Sequence, residues 1–191
     1  MKVTYSRAEL LGYRRRIGGL EPLRSDCAVV STDGIDVDAI LEAQLRRWYL
    51  DLLDRGPREL IAPDNIPATT TVSRPDPPLG DAAVVRVPDI CRRVFDIRLK
   101  GWSRAVEPRP AAEIEAVVRR QLNPFTAATP ARPVAVLLPP GSGQRVREIL
   151  VWPSGTQVTA LHAAVDTGKD SYSFDEAALA TIPATDILTQ I

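Results

Sequence analysis

The side chains suited to chemistry in this 191-residue chain are few and scattered. A serine or cysteine hydrolase needs a base beside its nucleophile, and the only histidine is His162, set in the apolar run Thr159-Ala160-Leu161-His162-Ala163-Ala164-Val165. A lone histidine in such a run reads as a structural side chain. Gly18-Gly19 and Gly141-Ser142-Gly143 lack the lysine and following Ser or Thr with which a P-loop holds phosphate, so both read as turn glycines. The carboxylate pairs Asp36/Asp38 and Asp175/Glu176 stand at predicted helix starts, where the positive helix end stabilises negative charge without a metal or acid–base role. Cys27 and Cys91 have neither short spacing nor clustered histidines, which argues against a zinc site or a disulfide framework and for buried thiols. No catalytic, cofactor-binding or metal-ligating residue is assigned, no cofactor is expected, and the chain reads as a non-enzyme.

Charge and composition narrow the partners. Lys and Arg number 24 and Asp and Glu 24, so no global field draws the molecule to DNA or to an anionic membrane. Arg14-Arg15-Arg16 and Arg46-Arg47 read as solvated faces. Aromatic residues make up 5% of the chain and its tryptophans are isolated, which gives no stacking platform for single-stranded nucleic acid. No stretch has the apolar length of a signal peptide or a membrane span, so a soluble chain in the cytoplasm is expected.

The elements that would position these residues alternate between helix and strand. Val37, Ile40, Leu41, Leu45, Trp48, Tyr49, Leu52 and Leu53 recur at spacings of three and four, predicting a helix over Val37 to Arg55. Asp33 or Asp36 would cap it, and Gly56-Pro57 would stop it, the glycine through a left-handed turn. Ser6 to Arg16 predicts a shorter helix, with Ser6 and Glu9 in capping-box spacing and Gly18-Gly19 as its end. Residues 57–80 carry six prolines around Thr69-Thr70-Thr71 and read either as a functional arm that orders against a partner or as a partly disordered, flexible surface loop.

Strands are predicted at Ala82 to Val87, Arg93 to Leu99 and near Arg104 to Val106. The second has Val94, Asp96, Arg98 and Lys100 on a wet face and Arg93, Phe95, Ile97 and Leu99 on a largely dry one. A helix over Ala111 to Leu122 shows Ile114, Val117, Val118 and Leu122 on one side and stops at Asn123-Pro124. Val134 to Leu138, Glu148 to Trp152 and Val158 to Ala164 read as antiparallel strands, because their links are too short for a helical crossover. A last helix, Phe174 to Ile182, would be capped by Ser173, with Glu176 three residues on, and leads to an apolar tail of Ile187, Leu188 and Ile191. The expected architecture is α+β in a single domain. It has N-terminal helices in a bundle (about 1–56), the arm (about 57–80), and a mainly antiparallel β part with an inserted helix and a C-terminal helix or tail (about 81–191).

One segment is more specific. Ala82-Ala83-Val84-Val85-Arg86-Val87-Pro88-Asp89-Ile90-Cys91-Arg92-Arg93-Val94-Phe95-Asp96-Ile97-Arg98-Leu99-Lys100-Gly101-Trp102 enters a Pro-Asp turn from a strand, makes about one helical turn through Ile90 to Arg92, and returns as a strand. It resembles the leucine-proline, Asp, Arg, valine segment of phage head-to-tail adaptor proteins of the tail tubular and connector-ring type, with Val87 where leucine is commoner. The order of elements is similar over nearly the whole chain, and Arg119-Arg120-Gln121-Leu122-Asn123-Pro124-Phe125-Thr126, followed by Pro133-Val134-Ala135-Val136 and then Ile149-Leu150-Val151-Trp152-Pro153, is like the later part of those proteins, where a strand delivers an aromatic-proline corner. The resemblance implies a non-enzymatic virion subunit of a ring on the portal. Its partners would be the portal, neighbouring copies and tail proteins, with no sequence-specific nucleic acid and no membrane. The alternative is a bacterial intracellular interaction or scaffold protein of the same architecture without a viral role.

Overall fold

The computed structural model describes residues 1–18, 37–66, 70–76, 78–139 and 147–183. In chain order the elements are β1 (Lys2–Ser6), α1 (Arg7–Ile17), α2 (Val37–Arg55), α3 (Arg58–Ile61), β2 (Asp64–Asn65), β3 (Thr71–Ser73), β4 (Ala83–Val87) and β5 (Cys91–Leu99). They continue with α4 (Ile114–Gln121), β6 (Val134–Leu137), β7 (Arg147–Trp152), β8 (Val158–Val165) and β9 (Ser171–Asp175). The architecture is mixed helix and antiparallel sheet. It divides into two compact units, Met1–Ala62 with Asp166–Ile191, and Pro63–Val165, so the first unit draws on both ends of the chain. Among the described residues no helix is long and apolar enough to cross a membrane.

In the first unit the capping box of α1 is met, and so is most of the apolar stripe of α2. The Ser6 hydroxyl accepts from the Glu9 amide at 3.3 Å while the Glu9 carboxylate accepts from the Ser6 amide at 2.8 Å. The stripe on α2 buries Leu41, Leu45, Tyr49, Leu52 and Leu53. Asp33, Asp36 and Gly19 lie outside the described residues. Gly56 ends α2 through close approach: its amide donates to the Leu52 carbonyl at 2.8 Å, and a Cβ would stand 2.4 Å from that oxygen. The left-handed residue falls instead at Ala62, φ 50°, after α3.

The N-terminal helices do not form a bundle. They pack with a two-stranded ribbon in which β1 pairs antiparallel with β9, Lys2 opposite Asp175 and Ser6 opposite Ser171. A two-stranded ribbon is marginal alone. Alternation in Ser171-Tyr172-Ser173-Phe174-Asp175 gives Tyr172 and Phe174 a shared face, and α2 meets it: Trp48 is edge-on to Phe174 at 5.4 Å and Tyr49 to Tyr172 at 5.0 Å, while Tyr5 stacks on Phe174 at 5.8 Å. Aromatic area on the ribbon thus replaces a second helical face. The last helix is correspondingly shorter than expected. Phe174 is in a strand, a 3-10 turn covers Glu176–Thr181, and its cap is Asp175, which accepts from the Ala177 amide at 3.0 Å. Ser173 instead shares a hydrogen bond with Thr4 across the ribbon, at 2.8 Å. The tail of Ile187, Leu188 and Ile191 lies outside the described residues.

The second unit is built on two sheets, one ordered β3-β4-β7-β6 and the other β2-β8-β5. One core joins them, with Val85, Val87, Ile149 and Val151 from the first and Val94, Ile97, Leu99 and Leu161 from the second. The arm is part of this structure, because β2 pairs with β8 and β3 with β4. Its position 77 and residues 67–69 lie outside the described residues. The Pro-Asp segment makes a single turn, closed by the Cys91 amide on the Pro88 carbonyl at 3.0 Å, and not a helical turn, since β5 begins at Cys91. Strand β5 has Phe95, Ile97 and Leu99 buried as the alternation predicts, but Val94 is buried too, because a register shift between Val94 and Asp96 re-aims it. Arg104 to Val106 forms only a bridge, Val106 opposite Ile97. The other face of the first sheet is covered by α4 through Val117, packed with Val84, Val136, Leu150 and Trp152.

Candidate docking site

The short α4 fixes this site. A 3-10 turn at Ala111–Glu113 leads into it from Pro110, and it ends with Leu122 as C-cap. Leu122, expected on the apolar side, is 80% exposed because the helix stops before it turns back to the sheet.

The next residues are held tightly. The Asn123 side chain accepts from the Phe125 amide at 3.0 Å, and its carbonyl accepts from the amides of Thr126 at 3.0 Å and Ala127 at 2.8 Å. The Thr126 hydroxyl donates to the Arg120 carbonyl at 2.8 Å, and the Gln121 side chain accepts from the Ala128 amide at 2.8 Å. This corner presents Phe125 with 96% of its surface exposed. Beside it lies an apolar groove of about 210 Å³ whose lining includes Leu79, Val118, Leu122, Ala128, Trp152 and Pro153. The Trp152 indole is fixed by donation to the Leu79 carbonyl at 3.3 Å. Small-molecule pockets are usually larger, about 300–1,000 Å³, so the groove is sized for a side chain or two.

The residues singled out for chemistry are dispersed. His162 lies on β8, its Nδ1 2.6 Å from Asp96 Oδ1 on β5, and among the described residues no Ser, Thr or Cys hydrogen-bonds to its ring. The pair orients the imidazole across the strands without a nucleophile. Asp38 pairs with Arg15. Asp175 accepts from the Met1 ammonium at 2.6 Å, which with the Ala177 amide holds its carboxyl below the usual range. Cys91 is buried, and desolvation pushes its thiol up to about 11. Arg14 is buried at 2% exposure, contrary to a solvated Arg14-Arg15-Arg16 face. Arg46 makes a bidentate contact to Asp166, at 2.9 and 2.5 Å, and donates to the Gly168 carbonyl at 2.6 Å. Cys27, Asp36 and residues 141–143 lie outside the described residues, and among the described ones no three His, Cys, Asp or Glu side chains gather to hold a metal.

The exposure of Phe125 was not legible from periodicity. The signal available was Asn123, a residue that closes a turn on its own side chain, two places before an aromatic. No family model, curated protein or solved structure matches this chain.

Proposed function

We propose that this protein is a non-enzymatic structural subunit that works by docking, and that its setting is a phage or prophage head–tail connector ring on the portal. The observation that carries the docking reading is Phe125, 96% exposed on a backbone fixed by hydrogen bonds and next to an apolar groove. A rigidly presented aromatic loses little conformational freedom on binding, which is what an interface anchor requires. In such a ring the partner is a neighbouring copy, which would meet this corner with a different surface patch. Joined head to tail, such copies close into a ring when the rotation permits. The connector setting rests on the resemblance of Ala82 to Trp102, which in this fold carries β4, the Pro88 turn and β5.

The test is quantitative mass spectrometry of phage particles induced from the source strain and purified on a density gradient, with portal and capsid peptides as standards. A small whole-number ratio of this chain to portal is expected, falling sharply for Phe125→Ala at equal expression. Abundant portal and capsid with this chain reproducibly absent would replace the virion reading with that of a bacterial scaffold protein.

A further inference from the structure

The second unit has another concavity, which shares no lining residue with the apolar groove. It is an open depression of about 430 Å³, lined by Arg104, Glu107, Arg109 and Arg132 over a floor that includes Val134 and Ala135. The backbone beneath these arginines is pinned. Val106 exchanges both hydrogen bonds with Ile97 at 2.9 Å, and Arg109 sits between the Ala135 carbonyl and the Leu137 amide, each at 2.9 Å. The Arg132 amide donates to the Thr129 carbonyl at 2.8 Å, and the Ser103 amide to the Pro130 carbonyl at 2.9 Å.

Charge in the depression is unbalanced. Arg109 shares Glu113 at 2.8 Å, but Arg104 and Arg132 have no ion-pair partner among the described residues. Four other arginines of the chain are held by carboxylates: Arg7 by Glu42, Arg15 by Asp38, Arg46 by Asp166 and Arg86 by Glu148. Here three guanidinium groups share one concavity with Glu107 in its lining and Glu113 on Arg109, which leaves one positive charge in excess. A guanidinium cannot discharge by losing a proton at ordinary pH, so the excess charge is permanent. One guanidinium fork satisfies both oxygens of a carboxylate, whereas several forks suit an anion with more acceptor oxygens and more charge.

We infer that this depression binds phosphate groups, taken from a nucleic-acid backbone without regard to sequence or from a free polyphosphate. The inference is independent of the docking reading. It is tested on the full chain by fluorescence anisotropy with a labelled DNA duplex of mixed sequence, and by calorimetric titration with inorganic pyrophosphate. The variants are R104A/R132A, R104K/R132K and R47A/R86A, the last removing as much charge from other exposed sites. R104A/R132A is expected to weaken whichever probe binds by about tenfold or more. For the duplex, it lowers the slope of log affinity against log salt by about 2. R104K/R132K falls between R104A/R132A and wild type, because charge is kept and the fork is lost. Binding of the duplex alone assigns the backbone, and binding of pyrophosphate alone assigns a free polyphosphate. The site is overturned if neither probe binds at millimolar concentration, or if R47A/R86A loses as much as R104A/R132A.

Discussion

Two phenylalanines of this chain should respond oppositely to the same truncation. Phe174 is fully buried, with Trp48 at 5.4 Å, Tyr5 at 5.8 Å and Tyr49 at 6.3 Å. These rings belong to α2 and β1, which cannot both close on the space an alanine would leave. Phe174→Ala is therefore expected to cost about 3–5 kcal/mol, transfer and cavity together. Phe125 is 96% exposed, so almost none of its area is withdrawn from water on folding. At about 25 cal/mol per Å² its truncation costs ~0.2 kcal/mol or less. Urea unfolding followed by far-UV circular dichroism measures both, and particle incorporation is scored on the same variants. Phe174→Ala should lose stability first and incorporation as a consequence, while Phe125→Ala should lose incorporation at unchanged stability. A loss above about 1 kcal/mol for Phe125→Ala would mean that the ring is packed in the free chain, and the docking argument would fail with it. Full stability in Phe174→Ala would refute the aromatic contact of α2 with the ribbon.

Three further outcomes follow from the same geometry. Arg46 and Asp166 are 23% and 18% exposed, between surface and buried pairs, so a double-mutant cycle of Arg46→Ala and Asp166→Ala should give a coupling of about 1–2 kcal/mol, and additive losses would contradict the bidentate contact. The Glu9 carboxyl is held below its ordinary value of 4.5, first by the Ser6 amide and then by the Ser6 hydroxyl. Its stabilisation is therefore present above the unfolded value and is lost as pH falls through the lower folded one. The thermal midpoint of Glu9→Gln should lie below that of wild type at pH 7 and converge with it on acidification, whereas a constant gap would dissociate Glu9 from the cap. Cys91, buried with its thiol raised to about 11, should resist iodoacetamide at pH 8 in the folded chain and react in urea, as read by peptide mapping; rapid labelling of the folded chain would refute its burial.

Three local signals in the sequence hold in the fold. The stripe on α2, the Ser6/Glu9 box and the start of α4 after Pro110 each depend on residues within a few positions, and each appears in the fold. The ribbon was hidden because β1 and β9 pair residues as far apart as Lys2 and Asp175, a relation no window can contain. The same spacing rule that finds Ser6 selects Ser173 with Glu176, but pairing with β1 and burial of Phe174 outweigh a helical turn there. A link too short for a helical crossover joins paired strands from β6 to β7, but from β7 to β8 it serves a chain that changes sheet. The docking corner was partly visible in Asn123-Pro124-Phe125-Thr126, but nothing in residue order tells whether an aromatic after a helix turns inward or out.

The changes of sheet explain how so small a corner is held rigid. Strands β4 and β7 pair in one sheet and β5 and β8 in the other, so the links β4 to β5 and β7 to β8 are the same crossing made twice. Each crossing begins at a proline, Pro88 after Val87 and Pro153 after Trp152, where the missing amide ends the ladder as the strand leaves its sheet. The second crossing leaves no space at Gly155, where a Cβ would stand 2.7 Å from Leu99 Cδ2 and 2.9 Å from its Cβ. The Trp102 indole closes it by donating to the Pro153 carbonyl at 3.0 Å. Both crossings thus anchor the sheet whose outer face carries α4, and α4 carries the turn that presents Phe125. An exposed aromatic on a mobile loop would sacrifice binding energy to its own ordering. On this frame the ordering is complete when the chain folds, so the docking proposed for Phe125 would need only the partner's surface.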